Sequence, residues 1–330
     1  MRRRSGIITF LVAIASLLAI APVTAFAATT TSAANGYRIS PVRTDLTISP
    51  GSSNTVTVYI QNASSVVEDL QVIINDFEAP TNDTGYPQLL LNGATAPQHS
   101  LKQFTSVPTQ TFTLQPGQQQ GVNVNINVPK GAASGGYYGA IRFAPVGEGS
   151  GKNVELSASV ASLVLITVPG NLDEQLSVSS FGVSQGTATK TRSFFFSNKN
   201  LQTVTIFQNS GNIQEQPFGK ILLKRGSNTL ATYTINDAAD PGNVLPSSAR
   251  RFTTTLNKVS WYGKYKIEGN FGYGSKGQLL TAQATFYVIP VLFIVLAIIV
   301  LLVILFAIFG LPRLIRRYNR RVIARANRRR

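Results

Sequence analysis

Residues 288–309 carry no charged or amide side chain, and nearly every one is Val, Ile, Leu, Phe or Ala. As a helix rising about 1.5 Å per residue, this stretch covers roughly 33 Å, against about 30 Å for the hydrocarbon core of a bilayer. A buried core helix of that length would keep a polar face, and this run has none. The stretch predicts a single membrane span, with Pro290 in the first turn, where a missing N–H costs little.

The flanking charge predicts the direction of the span. Residues 310–330 hold nine arginines and no acid. Short basic flanks stay in the cytoplasm, so the expected topology at the plasma membrane is single-pass, C-terminus inside, with everything before residue 288 outside. In the tail, Leu311, Leu314, Ile315, Tyr318, Val322 and Ala326 recur at three- and four-residue steps. That stripe predicts an amphipathic helix on the inner leaflet, with Arg313, Arg316, Arg317, Arg320 and Arg321 against anionic headgroups. A disordered stop-transfer flank would explain the charge and leave the stripe unexplained.

The formal charge of +16 suggests nucleic acid as a partner until the charge is placed along the chain. Twelve of the 30 basic residues flank the two apolar runs, which leaves the segment between them at about +4. No concentrated patch remains there for phosphates, so no nucleic-acid partner is expected. Cysteine is absent, so stability outside the cell must come from packed cores.

At the N-terminus, Arg2, Arg3 and Arg4 precede an apolar run over 7–20, and Ala25-Phe26-Ala27 offers a small-x-small cleavage site. Residues 1–27 therefore read as a secretory signal peptide and 28–36 as a flexible leader. An uncleaved signal anchor would leave the same region outside.

From Tyr37 onward the pattern is period-2. Val56, Val58 and Ile60 alternate, as do Leu70, Val72 and Ile74; Val122, Val124, Ile126 and Val128 form the cleanest run. Turn signals punctuate these runs at Pro50-Gly51, Pro116-Gly117 and in the polar loop 78–86. Further strands are expected over 135–143 and 154–168, and Pro169-Gly170-Asn171 marks a boundary. A second set of short strands follows, with a hairpin turn at 225–228. The expected fold class is all-β: two tandem Ig-like antiparallel β-sandwiches over 37–169 and 172–287, then a transmembrane helix over 288–309 and a basic cytoplasmic tail over 310–330. No Pro-, Gly- or Ser-rich stalk separates the last strand from the helix, so the second sandwich is expected to ride on the headgroups and hold the first outward.

Little in the chain points to chemistry. The lone histidine, His99, falls in an irregular stretch and is expected to be solvated, with no triad around it. Zinc ligands and phosphate-binding glycine loops are missing, so neither an enzyme nor a cofactor is expected. Asp76, Glu78 and Asp83 sit in or near a polar loop, where acids are usually solvated; oxygen ligation of Ca²⁺ is the alternative. Among aromatics, Gly136-Tyr137-Tyr138 and Gly263-Lys264-Tyr265 share a G-x-Y before a strand, which fits a tyrosine at a sandwich corner. Trp261-Tyr262 is expected to pack on its own sandwich, with lipid headgroups as the alternative. In Phe194-Phe195-Phe196, alternation buries one face and leaves Phe195 or its neighbours for the inter-domain contact.

These residues carry a resemblance. The first unit, with Ile48-Ser49-Pro50-Gly51, Leu114-Gln115-Pro116-Gly117, Val128-Pro129 and Gly136-Tyr137-Tyr138-Gly139-Ala140-Ile141, resembles the N-terminal domain of WxL-interacting surface proteins. The second, with Asn209-Ser210-Gly211-Asn212, Pro217-Phe218-Gly219, Val244-Leu245-Pro246 and Gly263-Lys264-Tyr265, is similar to their following domain. The resemblance implies two Ig-like domains on a C-terminal membrane helix, the first associated with peptidoglycan and the second with host or partner proteins. It implies a non-enzymatic bacterial surface protein whose partners are the bilayer and a cell-wall polymer or another surface protein. The alternative is an envelope sensor or assembly accessory acting through its tail.

Overall fold

The structure, a computed structural model, describes residues 36–91, 98–146 and 159–327. The expected signal peptide and residues 28–35 of the leader lie outside them.

Two β-sandwiches follow each other. In the first, one sheet runs β1 (Tyr37–Ser40), β3 (Ser53–Asn62), β8 (Gln119–Asn127), β6 (Thr105–Ser106). Its partner sheet runs β2 (Arg43–Thr47), β10 (Val160–Val168), β9 (Gly135–Pro145), β4 (Glu68–Glu78), β5 (Gln88–Leu89), with β7 (Thr111–Leu114) also on β4. The second sandwich pairs a three-stranded sheet, β11 (Leu176–Gln185), β13 (Leu201–Asn209), β16 (Ser248–Thr255), with a five-stranded one. That sheet runs β12 (Phe194–Phe195), β18 (Gln278–Val288), β17 (Gly263–Tyr273), β14 (Phe218–Arg225), β15 (Asn228–Ile235).

Alternation builds both cores. Val56 pairs with Val124 and Val58 with Val122, and all four are buried on the face toward the partner sheet. In the second sandwich Phe207, Phe271, Tyr265 and Phe286 are almost wholly buried and dominate the core. Among the described strands the pairing is antiparallel except for one parallel pair in each sandwich, β2 on β10 and β12 on β18. In both cases a short early strand crosses to the other sheet and lines up beside the sandwich's last strand.

An internal echo links the two units. Asn62, closing β3, donates through Nδ2 to Val66 O (2.7 Å) and Leu114 O (3.1 Å), and its Oδ1 accepts from Ser64 N–H. Asn209, closing β13, does the same with Ile213 O (2.7 Å), Val244 O (2.9 Å) and Gly211 N–H. Each amide is fully buried and satisfies loop backbone groups that would otherwise be orphaned.

The corner tyrosines need a correction. Tyr137 Oη donates to Ala133 O and Tyr265 Oη to Tyr262 O, both a few residues upstream, so both are corner residues. In the first unit the corner residue is Tyr137, because Tyr138 projects from the opposite face of β9. Both G-x-Y motifs open their strands instead of preceding them.

The C-terminal helix starts later than expected. Val288 pairs with Gly263 and is buried, closing β18, and Pro290 is the N-cap of α1 (Val291–Leu305). A π-helical segment, Phe306–Gly310, joins α1 to α2 (Leu311–Asn327) without a break. The apolar helix is long enough to cross a bilayer and none of its span is buried by protein. Arg313 Nη1 folds back onto Phe309 O at 3.1 Å.

Candidate functional site

β9 is buried on nearly its whole length, because both of its faces are covered. Tyr137, Ile141 and Phe143 point into the first core, while Tyr138 and Ala140 point away from it. The outward side chains, with Phe77 and Leu165, form a second small core, closed by Leu245 from the other sandwich. The apolar seam between the sandwiches thus rests on outward residues of β4, β9 and β10.

Polar contacts surround this seam. Gly136 N–H donates to Asn212 O at 2.8 Å, and Tyr138 Oη donates to Gln214 Oε1 at 2.9 Å. Arg43 donates to Asp45 (2.8 Å) on its own strand, and reaches across to Asp240 (2.9 Å) and the Pro241 carbonyl (2.8 Å). Arg251 forms a two-pronged ion pair with Asp83, and its backbone N–H donates to Asp83 O at 2.7 Å. Half-buried, planar guanidinium–carboxylate pairs of this kind fix orientation as well as adding energy.

Beside the seam lies an open cleft of about 590 Å³, lined among others by Arg43, Asp45, Glu174, Gln214, Glu215 and Gln216. Glu215 is its unusual member. The residue is 3% exposed, and its Oε1 is buried without a hydrogen-bond partner among the described residues. Burial, reinforced by the charge of Glu174 and opposed by a backbone hydrogen bond from Gly274, pushes its carboxyl up to about 7. Burial, and then the charges of Glu215 and Asp45, also hold the Tyr138 phenol protonated well above its ordinary range. On the other flank, Glu78, His99, Tyr138 and Ser247 border a hollow of about 210 Å³. Amides, carboxylates and one guanidinium in open clefts suit a ligand rich in hydroxyls and amides.

Several expected residues land elsewhere. Asp76 is buried in β4, accepting from Ser100 Oγ (2.7 Å) and Lys102 N–H (3.0 Å), because it pins the chain around residues 100–102. Asp83 serves the seam, Glu78 is exposed, and no group of acids able to hold a metal occurs among the described residues. His99 is not a free surface residue: its Nδ1 lies 2.7 Å from Gly136 O, and its ring contacts Tyr137 and Tyr138. Phe195 fills the second core, and Phe194 and Phe196 lie at the end of the sandwich nearest the helix, so none of the three reaches the seam. Trp261 and Tyr262 are half exposed and touch Phe293 of α1 instead of their own core. The tail arginines Arg313, Arg316, Arg317, Arg320 and Arg321 all fall on α2.

The fold and the seam define a protein of two Ig-like β-sandwiches carrying one apolar helix long enough to cross a membrane. Residues 44–145, within the first sandwich, match the family described as WxL Interacting Protein, peptidoglycan binding domain. That is a family of binding domains. No curated protein matches the chain. Among solved structures it is similar to the E. coli chaperone DraB, at 13% identity over 76% of this chain and 96% of that one (TM-score 0.32). It is likewise similar to the Pseudomonas aeruginosa CupB2 chaperone, at 12% identity over 74% and 98% (TM-score 0.33). A chaperone-tip adhesin complex of CFA/I fimbriae biogenesis matches at 14% identity over 74% and 97% (TM-score 0.36). At those scores the superpositions are too loose to carry function over.

Proposed function

We propose that the protein is a non-enzymatic cell-envelope protein that is held by α1 in the plasma membrane and binds peptidoglycan through its first sandwich. The match of residues 44–145 to a peptidoglycan-binding domain family carries this reading. The polar cleft beside the seam, with Asp45 and Arg43 from the first sandwich and Gln214 and Gln216 from the second, supports it as a place for a hydroxyl- and amide-rich polymer. The expected outcome is that the detergent-solubilised full chain co-sediments with purified sacculi. A chain that stays in the supernatant at physiological salt overturns the proposal.

In the same reading the sandwiches face outward and α2 rests on the inner leaflet, its arginines Arg313, Arg316, Arg317, Arg320 and Arg321 against headgroups. The absence of native cysteine makes this directly measurable. In intact cells, an impermeant maleimide is expected to label Ser227→Cys, in the β14–β15 turn, and to spare Asn319→Cys until the cells are lysed. The reverse pattern would invert the topology.

A further inference from the structure

The loop charge of the second sandwich is polarised between its two ends. At the end where β18 runs into α1, three segments come together: residues 186–200, 225–228 and 256–263. These segments and the first residues of β17 hold Lys190, Arg192, Lys199, Arg225, Lys258 and Lys264, and no acid. All but Arg225 are exposed, and none is ion-paired among the described residues. At the opposite end, toward the seam, the segments 169–175, 210–217, 236–247 and 274–277 hold Asp173, Glu174, Glu215, Asp237 and Asp240 against Lys276 alone.

Aromatic side chains share the basic end. Phe194 and Phe196 are each 60% exposed, Trp261 52% and Tyr262 43%. Trp261 lies 5.2 Å from Phe293, in the first turn of α1, and Phe194 stacks on Tyr287 at 5.2 Å. The cations are interleaved with these rings: Arg225 sits 5.2 Å from the centroid of Tyr262 and Lys264 5.9 Å from that of Tyr287. Only Ile289 and Pro290 separate β18 from α1, and Ile289 N–H donates to Phe195 O at 2.8 Å. The helix is thereby tied to this end of the sandwich.

We propose that this end is a docking surface for the anionic phospholipid headgroups of the leaflet that α1 enters. Trp and Tyr partition to the headgroup level, where an apolar ring and a polar edge are both accommodated, and lysine and arginine near an anionic leaflet are drawn toward it. The surface is continuous with the span, so a bilayer that receives α1 meets these side chains first. The proposal is independent of what the first sandwich binds, and of which side of the membrane the sandwiches face.

Trp261 is the chain's one tryptophan and supplies the probe. The full chain is placed in nanodiscs of phosphatidylcholine alone or mixed with phosphatidylglycerol, with brominated acyl chains as quenchers. Quenching of Trp261 is expected to be stronger in the anionic discs and to fall in high salt. Lys258→Glu with Lys264→Glu changes four units of charge and is expected to lower the docked-to-undocked ratio by on the order of a hundredfold or more, at about fivefold per charge. Lys276→Glu, at the far end, is expected to leave it unchanged. If the double variant loses its β-type circular dichroism, Lys258→Gln with Lys264→Gln reads the loss of the two charges alone, about 25-fold. Equal quenching in the two lipid compositions, or undiminished quenching in the charge variants, overturns the proposal. So does release of Trp261 from anionic discs by soluble poly(glycerol phosphate), which would assign the cations to a phosphodiester polymer of the envelope.

Discussion

Truncating Phe207 to alanine is expected to destabilise the second sandwich by about 3–5 kcal/mol, the range for removing a large aromatic from a packed core. Phe207 is wholly buried in β13 and meets Phe252 at 5.7 Å and Phe271 at 5.1 Å, both edge to face. The loss combines the transfer energy of the ring, two favourable aromatic geometries and a cavity that the flanking sheets are too stiff to close. Trp261 lies in the same sandwich, so its fluorescence during denaturant unfolding reports the change directly. A variant within about 1 kcal/mol of the parent, below the usual range for such a truncation, would mean that the two sheets are not packed around this ring as described.

The second large effect is electrostatic. Free in an unfolded chain, the Glu215 carboxyl has its ordinary value near 4.5, and in the folded protein it is raised to about 7. Between those limits the native state keeps a proton that the unfolded chain has released. Stability on this account falls as pH rises from about 4.5 to about 7 and is level above that. Glu215→Gln keeps the shape and removes the charge that burial disfavours. The variant is expected to be more stable than the parent by about 1–3 kcal/mol at pH 8. Its advantage is expected to shrink to a small remainder near pH 4.5, where the parent carboxyl is neutral in the folded state and about half so in the unfolded one. Denaturant midpoints at pH 4.5 and pH 8 measure both quantities. Glu174→Gln, removing the neighbouring charge, is expected to recover part of the same gain. A parent chain whose stability is flat across this window contradicts the burial of a carboxylate with one oxygen unpartnered.

Much of the fold was legible because strand alternation and a charge-free helical run are local signals. Val56, Val58, Ile60 and their partners Val122, Val124 and Ile126 show their inward face in the sequence itself. Alternation through Phe286 and Val288 showed the last strand running to Val288, where β18 ends, but it merged with the apolar run, so the helix was drawn from 288, three residues before it begins at Val291. Period-2 reading names two faces without saying what covers each. Phe195 was correctly one side of such a pair, yet its buried face is the core of its own sandwich, and the seam is built by β4, β9 and β10. A usable signal was present there: from Gly135 through Ile141, β9 is an unbroken run of small, aromatic and apolar residues, the mark of a strand covered on both sides. The polar seam was out of reach for a different reason. Arg251 and Asp83 stand 168 positions apart, and nothing local distinguishes them from solvated charges. Nothing local marks the buried amides of Asn62 and Asn209 either, because a carboxamide that stitches a loop shut is recognised only once the loop is closed.

The route by which β18 becomes the membrane helix also decides how the protein carries tension. A pull between the seam and the anchor draws β11 by its seam end and β18 by its membrane end, in opposite directions and in opposite sheets. β18 is registered against β17 through eleven residue pairs, from Gly263↔Val288 to Tyr273↔Gln278. Antiparallel ladder bonds lie across the strands, so a force along β18 loads the whole ladder at once in shear and cannot peel it open one bond at a time. With two residues between strand and helix there is no slack to be drawn out first. The second sandwich is mechanically a rivet.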